Sequence, residues 1–204
     1  DWSSDVCSSD LRAFPALSIV DWGTNFQVVQ RVAGKYPDEI WKAFQSHWCR
    51  IFGEPEVVVT DPGREFMAEF MDKATKSGIV VHQTAARAPW QQGKTERHGA
   101  HYKEILEKAR IETLVTNDEE LELLMRQVEQ AKNRFSNRSG YAPIQRQIGQ
   151  WPRLPAELTS DDWVSPELVG DTMTEGPKRL LEMRRAAQKA FCEHNARASV
   201  KRAI

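Results

Sequence analysis

The sequence predicts an α/β protein in which short strands alternate with amphipathic helices. Three observations predict it: β-branched runs too short for helices, apolar residues at spacings of three and four, and Gly, Pro or Asn at the junctions. At 204 residues, 40% hydrophobic and 28% charged, the chain can bury a core. It has neither an apolar run of the roughly 18 residues that span a membrane nor a signal-peptide pattern, so we expect a soluble intracellular protein with no membrane partner.

The first third of the chain predicts two strands and a helix. Strands are expected at Ala16–Val20 and Phe26–Val32, joined by a Gly-Thr-Asn turn. A helix is expected to open at Pro37, which suits a first helical turn. Its apolar face would consist of residues at spacings of three and four: Ile40, Trp41, Phe44, Trp48 and Ile51.

The next segment predicts a strand, a helix and a second strand. Glu56–Thr60 and Ile79–His82 are β-branched runs typical of buried strands. A helix marked by Phe66 and Phe70 lies between them, and Gly78 can end it as a left-handed cap. The order β-β-α-β-α-β predicts an α/β sandwich.

The second half of the chain predicts a loop at Gln83–Gly93 and a helix over Lys94–Ile111. Thr116–Glu119 has capping-box form and should open a further helix that runs toward Asn137. Residues 138–176 are rich in Pro and Gly and predict an irregular linker with at most one short helix, around Ile144–Ile148. Residues 177–204 carry a net charge of +6 and predict a basic helix or tail.

The first eleven residues, DWSSDVCSSDL, differ in composition from the rest of the chain and have no helical or strand period. They resemble the in-frame translation of a common sequencing-adapter oligonucleotide, so we expect them to lie outside the fold. Without Asp1, Asp5 and Asp10 the net charge changes from −1 to +2. The three cysteines form no CxxC pair, which argues against a zinc module or a disulfide framework.

Two carboxylates have the surroundings of a metal site. Asp61 directly follows a predicted strand, and ligands of α/β proteins bind at the carboxyl ends of strands. Glu96 lies in the first turn of the helix predicted from Lys94 and could face the same crevice. Mg²⁺ prefers such oxygen ligands, and two ions can activate an attacking oxygen and stabilise a leaving oxygen in phosphodiester chemistry. By themselves the two residues are weak evidence for a metal site, and a helix-capping Asp and a solvated Glu are the more ordinary explanation.

The sequence around these residues resembles the catalytic core of retroviral and retrotransposon integrases. TDPGREF (60–66) and PWQQGKTER (89–97) match the contexts of that family's second and third catalytic carboxylates, with Asp61 and Glu96 35 positions apart. SIVDWGTNF (18–26) is similar to the second strand and turn of the domain. NRSGYAPIQRQIGQWPRLP (137–155) is similar to the segment after the core of retrotransposon integrases.

The resemblance implies an RNase H-like mixed sheet flanked by helices over residues 12–137, followed by the linker and the basic C-terminal helix. It implies a polynucleotidyl transferase acting on element ends and target DNA as a homo-oligomer, in the nucleus although no targeting signal is visible. Asp61 and Glu96 would ligate two Mg²⁺ or Mn²⁺ ions. The implied DNA contacts are Gln92 and Gly93 in a mobile active-site loop, Lys103 two turns after Glu96, and Lys94, Arg97 and His98.

The sequence departs from the family pattern at three places. Pro62 and Trp90 stand where the family often has Asn. The family's first catalytic Asp would fall in or before residues 1–11, so the first strand and one of three carboxylates are expected to be missing. Asp21 follows the second strand and is a poor substitute. We therefore expect weak metal binding and little catalysis from this chain.

The sequence leaves two other functions open. The chain could be a non-catalytic DNA-binding or assembly module derived from an integrase, whose basic tail neutralises phosphates or forms a solvated helix. It could also be an RNase H-like nuclease that cuts without joining, although no further Asp is available for that site.

Overall fold

The computed structural model describes residues 15–60, 63, 66, 69–83, 89–135, 140–149 and 175–203. They fall into two compact units. The first contains the segment up to Trp22 and Gln27–Ala100, and the second contains Gly23–Phe26 and the chain from His101 onward. In the described part of the chain, no helix is long and apolar enough to cross a membrane.

The first two strands form an antiparallel pair, β1 (Ala16–Val20) and β2 (Gln27–Arg31), close to the predicted bounds. Asn25 in the connection has a φ of 64°, a left-handed conformation that Asn tolerates better than most residues. Across the pair, the Gln27 side chain donates a hydrogen bond of 2.9 Å to the Ser18 hydroxyl. This bond satisfies a polar group that is only 1% exposed.

The next two strands, β3 (Val57–Thr60) and β4 (Val80–Gln83), are parallel. Helix α3 (Glu69–Lys76) lies between them in the chain, as a parallel connection requires. Gly78 has a φ of 77° just after this helix, which confirms the predicted left-handed cap. Both antiparallel and parallel pairing occur, as predicted. In the described residues, β1 with β2 and β3 with β4 form two separate two-stranded sheets.

The prediction that β3 and β4 are buried is wrong for one of their faces. Val57, Val59 and Val80 are 54%, 38% and 62% exposed. Val57 stands opposite Val80, so these side chains share one face of the pair. Continuous apolar runs indicate strands correctly, but they do not specify whether both faces are covered.

The helix predicted from Pro37 is interrupted. Helix α1 (Pro37–Phe44) is followed by a π-helical turn over Gln45–Cys49 and by the short helix α2 (Arg50–Phe52). The wider turn changes the phase of the residues after it. Ile51, predicted on the apolar face, is therefore 64% exposed, whereas Trp48 within the turn is buried.

An aromatic cluster packs α1 against α3. The ring of Phe70, 2% exposed, lies 5.4 Å from Trp41, 6.1 Å from Phe44 and 5.4 Å from Phe66. Lys73 adds an ion pair between the two helices, to Asp38. Hydrogen bonds from Lys42 and then Lys73 lower the pKa of Asp38.

The second unit is built on helices. It contains the part of helix α4 (Pro89–Thr113) from His101 onward, followed by α5 (Asp118–Arg134), α6 (Pro143–Ile148) and α7 (Glu175–Ala203). The Tyr102 hydroxyl, buried on α4, donates to the Met125 carbonyl oxygen at 2.9 Å.

The predicted basic tail, α7, packs against α5. Its buried side chains follow helical spacing and are Met183, Ala186, Ala187, Ala190 and Phe191. Two of its cations pair with acids of the same unit, Lys189 with Glu112 and Arg179 with Glu120. These contacts make α7 part of the packed unit.

The cap of α5 lies one residue beyond the prediction. Asn117, rather than Thr116, accepts a hydrogen bond of 2.8 Å from the backbone N–H of Glu120. Asn is a better N-cap residue than Thr. With the cap at Asn117, the residue three positions later is Glu120 instead of Glu119. The Glu120 carboxylate accepts from Thr116 and, in bidentate fashion, from Arg179 at 2.8 and 3.1 Å. The Arg179 hydrogen bonds, followed by that of Thr116, lower the pKa of Glu120 to about 2.

The π-helical turn can be tested with two isoleucines. Ile40 is 4% exposed, so Ile40→Ala should reduce the free energy of unfolding by about 2–5 kcal/mol. Ile51→Ala should change it by less than about 0.5 kcal/mol, because Ile51 lies outside the core. Urea unfolding measures both values. Equal losses would show that one uninterrupted helix buries both residues.

The Glu120–Arg179 pair predicts an acid-sensitive attachment of α7. Because the folded-state pKa of Glu120 lies below its ordinary value of 4.5, its stabilisation is full above that pH and is lost as the pH falls toward 2. Glu120→Gln should reduce stability at pH 7 by about 1.5–3 kcal/mol. This deficit should shrink in acid. Glu119→Gln, an exposed neighbour, is the control. A deficit that stays constant down to pH 2 would contradict the assigned role of the pair.

Candidate functional site

The carboxyl ends of β3 and β4 lie side by side, with Thr60 opposite Gln83. Asp61, which follows Thr60 in the chain, lies outside the described residues, so its role stays a prediction. In the part that is described, the Thr60 hydroxyl and the Gln83 amide nitrogen are buried without a hydrogen-bond partner. Such atoms are costly unless water, an ion or a ligand completes them. This edge therefore keeps hydrogen-bonding capacity for a polar ligand.

Glu96 is an exposed residue of α4. The other glutamates of this helix are ion-paired: Glu104 with Lys108, Glu107 with Arg110, and Glu112 with Lys189. Within the described ranges, Glu96 has no hydrogen bond or ion pair. No group in the described part of the chain therefore competes with a cation for this carboxylate.

The predicted loop before Glu96 is wrong where the backbone is described. Helix α4 begins at Pro89, so Gln92 and Gly93 lie in a helix, and Glu96 lies beyond the first turn. Proline is well suited to a first helical position because its missing N–H has no partner there in any case. Glycine in a helix interior costs only about 1 kcal/mol relative to alanine, and a long helix can absorb this.

The predicted DNA-contacting cations also lie on α4. Lys94 donates a hydrogen bond to the backbone carbonyl oxygen of Trp22, a neutral partner that leaves its charge uncompensated. Arg97 is exposed, whereas His98 and Lys103 are half-buried. Asp21, the residue that could be mistaken for a first carboxylate, directly follows β1 and is half-buried.

A pair of histidines joins α7 to α4. The rings of His101 and His194 lie 4.6 Å apart, and His194 Nδ1 is 2.9 Å from Glu104 Oε2. Among the residues whose placement is described, no group of three or more His, Cys, Asp or Glu side chains could hold a metal ion. The predicted Asp61–Glu96 pair stands outside this observation, because Asp61 is not among those residues.

A buried lysine on α5 belongs to none of the sequence motifs. Lys132 is 8% exposed, and burial lowers its pKa to about 7. Its position was visible in the helical pattern, since it lies four residues after the buried Val128. A lysine that titrates near neutral pH differs chemically from the exposed cations of α7.

Retroviral integrase cores of known structure are similar to this chain. The catalytic core domain of HTLV-2 integrase, solved with magnesium in a trimeric form, has a TM-score of 0.54 at 18% identity, over 66% of this chain and 93% of that one. The catalytic core domain of BIV integrase has a TM-score of 0.56 at 12% identity, over 69% of this chain and 90% of that one.

A chain of the simian T-cell lymphotropic virus intasome, solved in complex with PP2A regulatory subunit B56 gamma, is also similar. Its TM-score is 0.57 at 16% identity, over 70% of this chain and 54% of that one. No family model and no curated protein matches the sequence. The chain has the RNase H-like α/β fold of these integrase cores, as the sequence predicted.

Proposed function

We propose that this chain is an integrase core from a retrotransposon polyprotein, whose intact form processes DNA ends and joins them to target DNA. The similarity of its fold to three retroviral integrase structures carries the proposal. The motifs around Asp61 and Glu96 support it independently, because they depend on local sequence and not on the fold. The proposed organisation is the core at 12–137, the linker at 138–176 and the basic helix at 177–204.

Asp61 and Glu96 are the proposed ligands of divalent metal. The donor set fits Mg²⁺ or Mn²⁺, since carboxylate oxygens are the ligands these ions prefer. The exposed position of Glu96, which has no ion pair among the described residues, supports the assignment, as does the unpartnered hydroxyl of Thr60, the residue that precedes Asp61. Two bound ions would supply activation of the attacking oxygen and stabilisation of the leaving oxygen.

The protein's own part is to bind and orient DNA. Gln92 and Gly93 are proposed to contact the DNA end, and Lys94, Arg97 and Lys103 its phosphates. Because Lys94 is held by a neutral carbonyl group, its full positive charge can act on a phosphate. Phosphate contacts of this kind fix the register of DNA without reading its sequence.

We also propose that the chain as given is catalytically weak. It holds two of the family's three carboxylates, and its first eleven residues resemble translated adapter. The upstream strand with its Asp would complete the shared metal site. A multimer on paired DNA ends and a nuclear location belong to the same proposal.

A strand-transfer assay with Mg²⁺ tests this function. The chain as given should join little or no DNA, and a version with the genomic sequence upstream of Arg12 restored should join DNA ends. Asp61→Asn or Glu96→Gln should abolish joining in the restored version, because each removes a metal ligand. Glu107→Gln, on the same helix but paired with Arg110, is the matched control and should retain activity.

Three outcomes would contradict the proposal. Robust joining by the chain as given would show that no carboxylate is missing. Nicking without joining would identify a nuclease. DNA binding without either reaction by the restored version would identify a non-catalytic DNA-binding module.

A further inference from the structure

A groove of about 380 Å³ on the second unit is lined by Tyr141, Gln145, Arg146 and Gly149. It takes no part in the proposed metal chemistry. Helix α6, which supplies Gln145 and Arg146 to the groove, is held at its start, where Gln145 Oε1 accepts a hydrogen bond of 2.6 Å from the Ala142 N–H. The Thr24 hydroxyl donates to Gln147 Oε1 at 2.8 Å. The wall of the groove is thus anchored before any ligand arrives.

The groove presents an aromatic ring beside a cation. Tyr141 is 53% exposed, and the Arg146 guanidinium carbon lies over one face of its ring, 5.8 Å from the ring centre. Within the described residues Arg146 has no carboxylate partner, and the sequence from Gly140 to Gly149 contains no Asp or Glu. Arg179, by comparison, is neutralised by Glu120. Among the described residues, the groove therefore combines the flat face of an aromatic ring with a positive charge that no carboxylate neutralises.

This combination matches a nucleotide. A base can stack on the face of the ring away from the guanidinium, while the phosphate beside that base pairs with the guanidinium. Bases in a duplex have their faces covered by their neighbours, so only an unpaired nucleotide can use both groups. The volume lies at the lower end of small-ligand sites and suits one nucleotide.

We propose that Tyr141 and Arg146 form a binding site for single-stranded DNA, with a base on Tyr141 and a phosphate on Arg146. The inference rests on the proposed action on DNA, since cutting one strand near a DNA end leaves unpaired nucleotides. It adds a contact that lies outside the metal ligands and the cations of α4.

Fluorescence anisotropy with two labelled probes tests the site. One probe is an oligothymidylate of about 12 nucleotides, and the other is an abasic strand of equal length with the same phosphates. The full chain, in EDTA, should bind the first about 5- to 100-fold more tightly than the second. Tyr141→Ala should remove this preference, whereas Tyr141→Phe should keep it.

Two further variants separate charge from stacking. Arg146→Gln should weaken the binding of both probes alike. It should also reduce, by about 0.7, the magnitude of the slope of the logarithm of the association constant against the logarithm of the salt concentration, because one phosphate contact is lost. Tyr36→Ala removes another exposed tyrosine, 69% exposed on the first unit, and should bind as wild type does. Circular dichroism melting confirms that each variant is folded.

The site is overturned if wild type binds both probes equally, if Tyr141→Ala keeps the base preference, or if a duplex shows the same dependence on Tyr141. Because EDTA removes divalent metal, this result is independent of Asp61 and Glu96. Failure of strand transfer by the version restored upstream of Arg12, with intact Tyr141-dependent binding, would overturn only the proposed function. The reverse pattern would overturn only this site.

Discussion

The parallel pairing of β3 with β4 is the constraint on which the candidate site depends. Parallel strands cannot be joined by a tight turn, so the chain must return through a crossover, and α3 lies in that connection. The crossover helix is fixed to α1 by the aromatic contacts of Phe70 and the ion pair of Lys73. The carboxyl ends of both strands consequently meet at one edge, where Thr60 and Gln83 keep unsatisfied polar atoms. The packing of α3 against α1 thus helps to determine where the polar edge formed by Thr60 and Gln83 lies.

The charged side chains of α4 and α7 fall into two classes: those that pair within the fold and those that are exposed. On α4 the glutamates near the second unit's helices are paired, and Glu96 alone among the described glutamates of that helix is left for a cation. On α7, Arg179 and Lys189 pair with acids of α5 and α4, whereas Arg185 and Arg197 are exposed. The basic C-terminal helix is therefore a packed element first, and any DNA contact must use its outer side. Lys132 illustrates the cost of burying a cation, since burial lowers its pKa to about 7.

Most elements could be predicted because their signals are local. β-branched runs located the strands, and Gly78 located the end of α3. Features that depend on tertiary packing could not. The π-helical turn that turns Ile51 outward has no sequence signature, and the exposed face of β3 depends on what covers the sheet. The packing of α7 against α5 was not predicted, because the high positive charge of the segment suggested a solvated tail. The small residues that it buries nevertheless occur at helical spacing. Asp61 and Glu96 emerged from motif resemblance, because a separation of 35 residues gives no geometric information by itself.

The most direct test of the shared metal site is anomalous diffraction from crystals of this chain grown with a high concentration of Mn²⁺. A shared site predicts an anomalous peak within coordination distance of carboxylate oxygens of both Asp61 and Glu96, at the carboxyl edge of β3. A peak held by other residues, or the two carboxylates too far apart to share one ion, would contradict it.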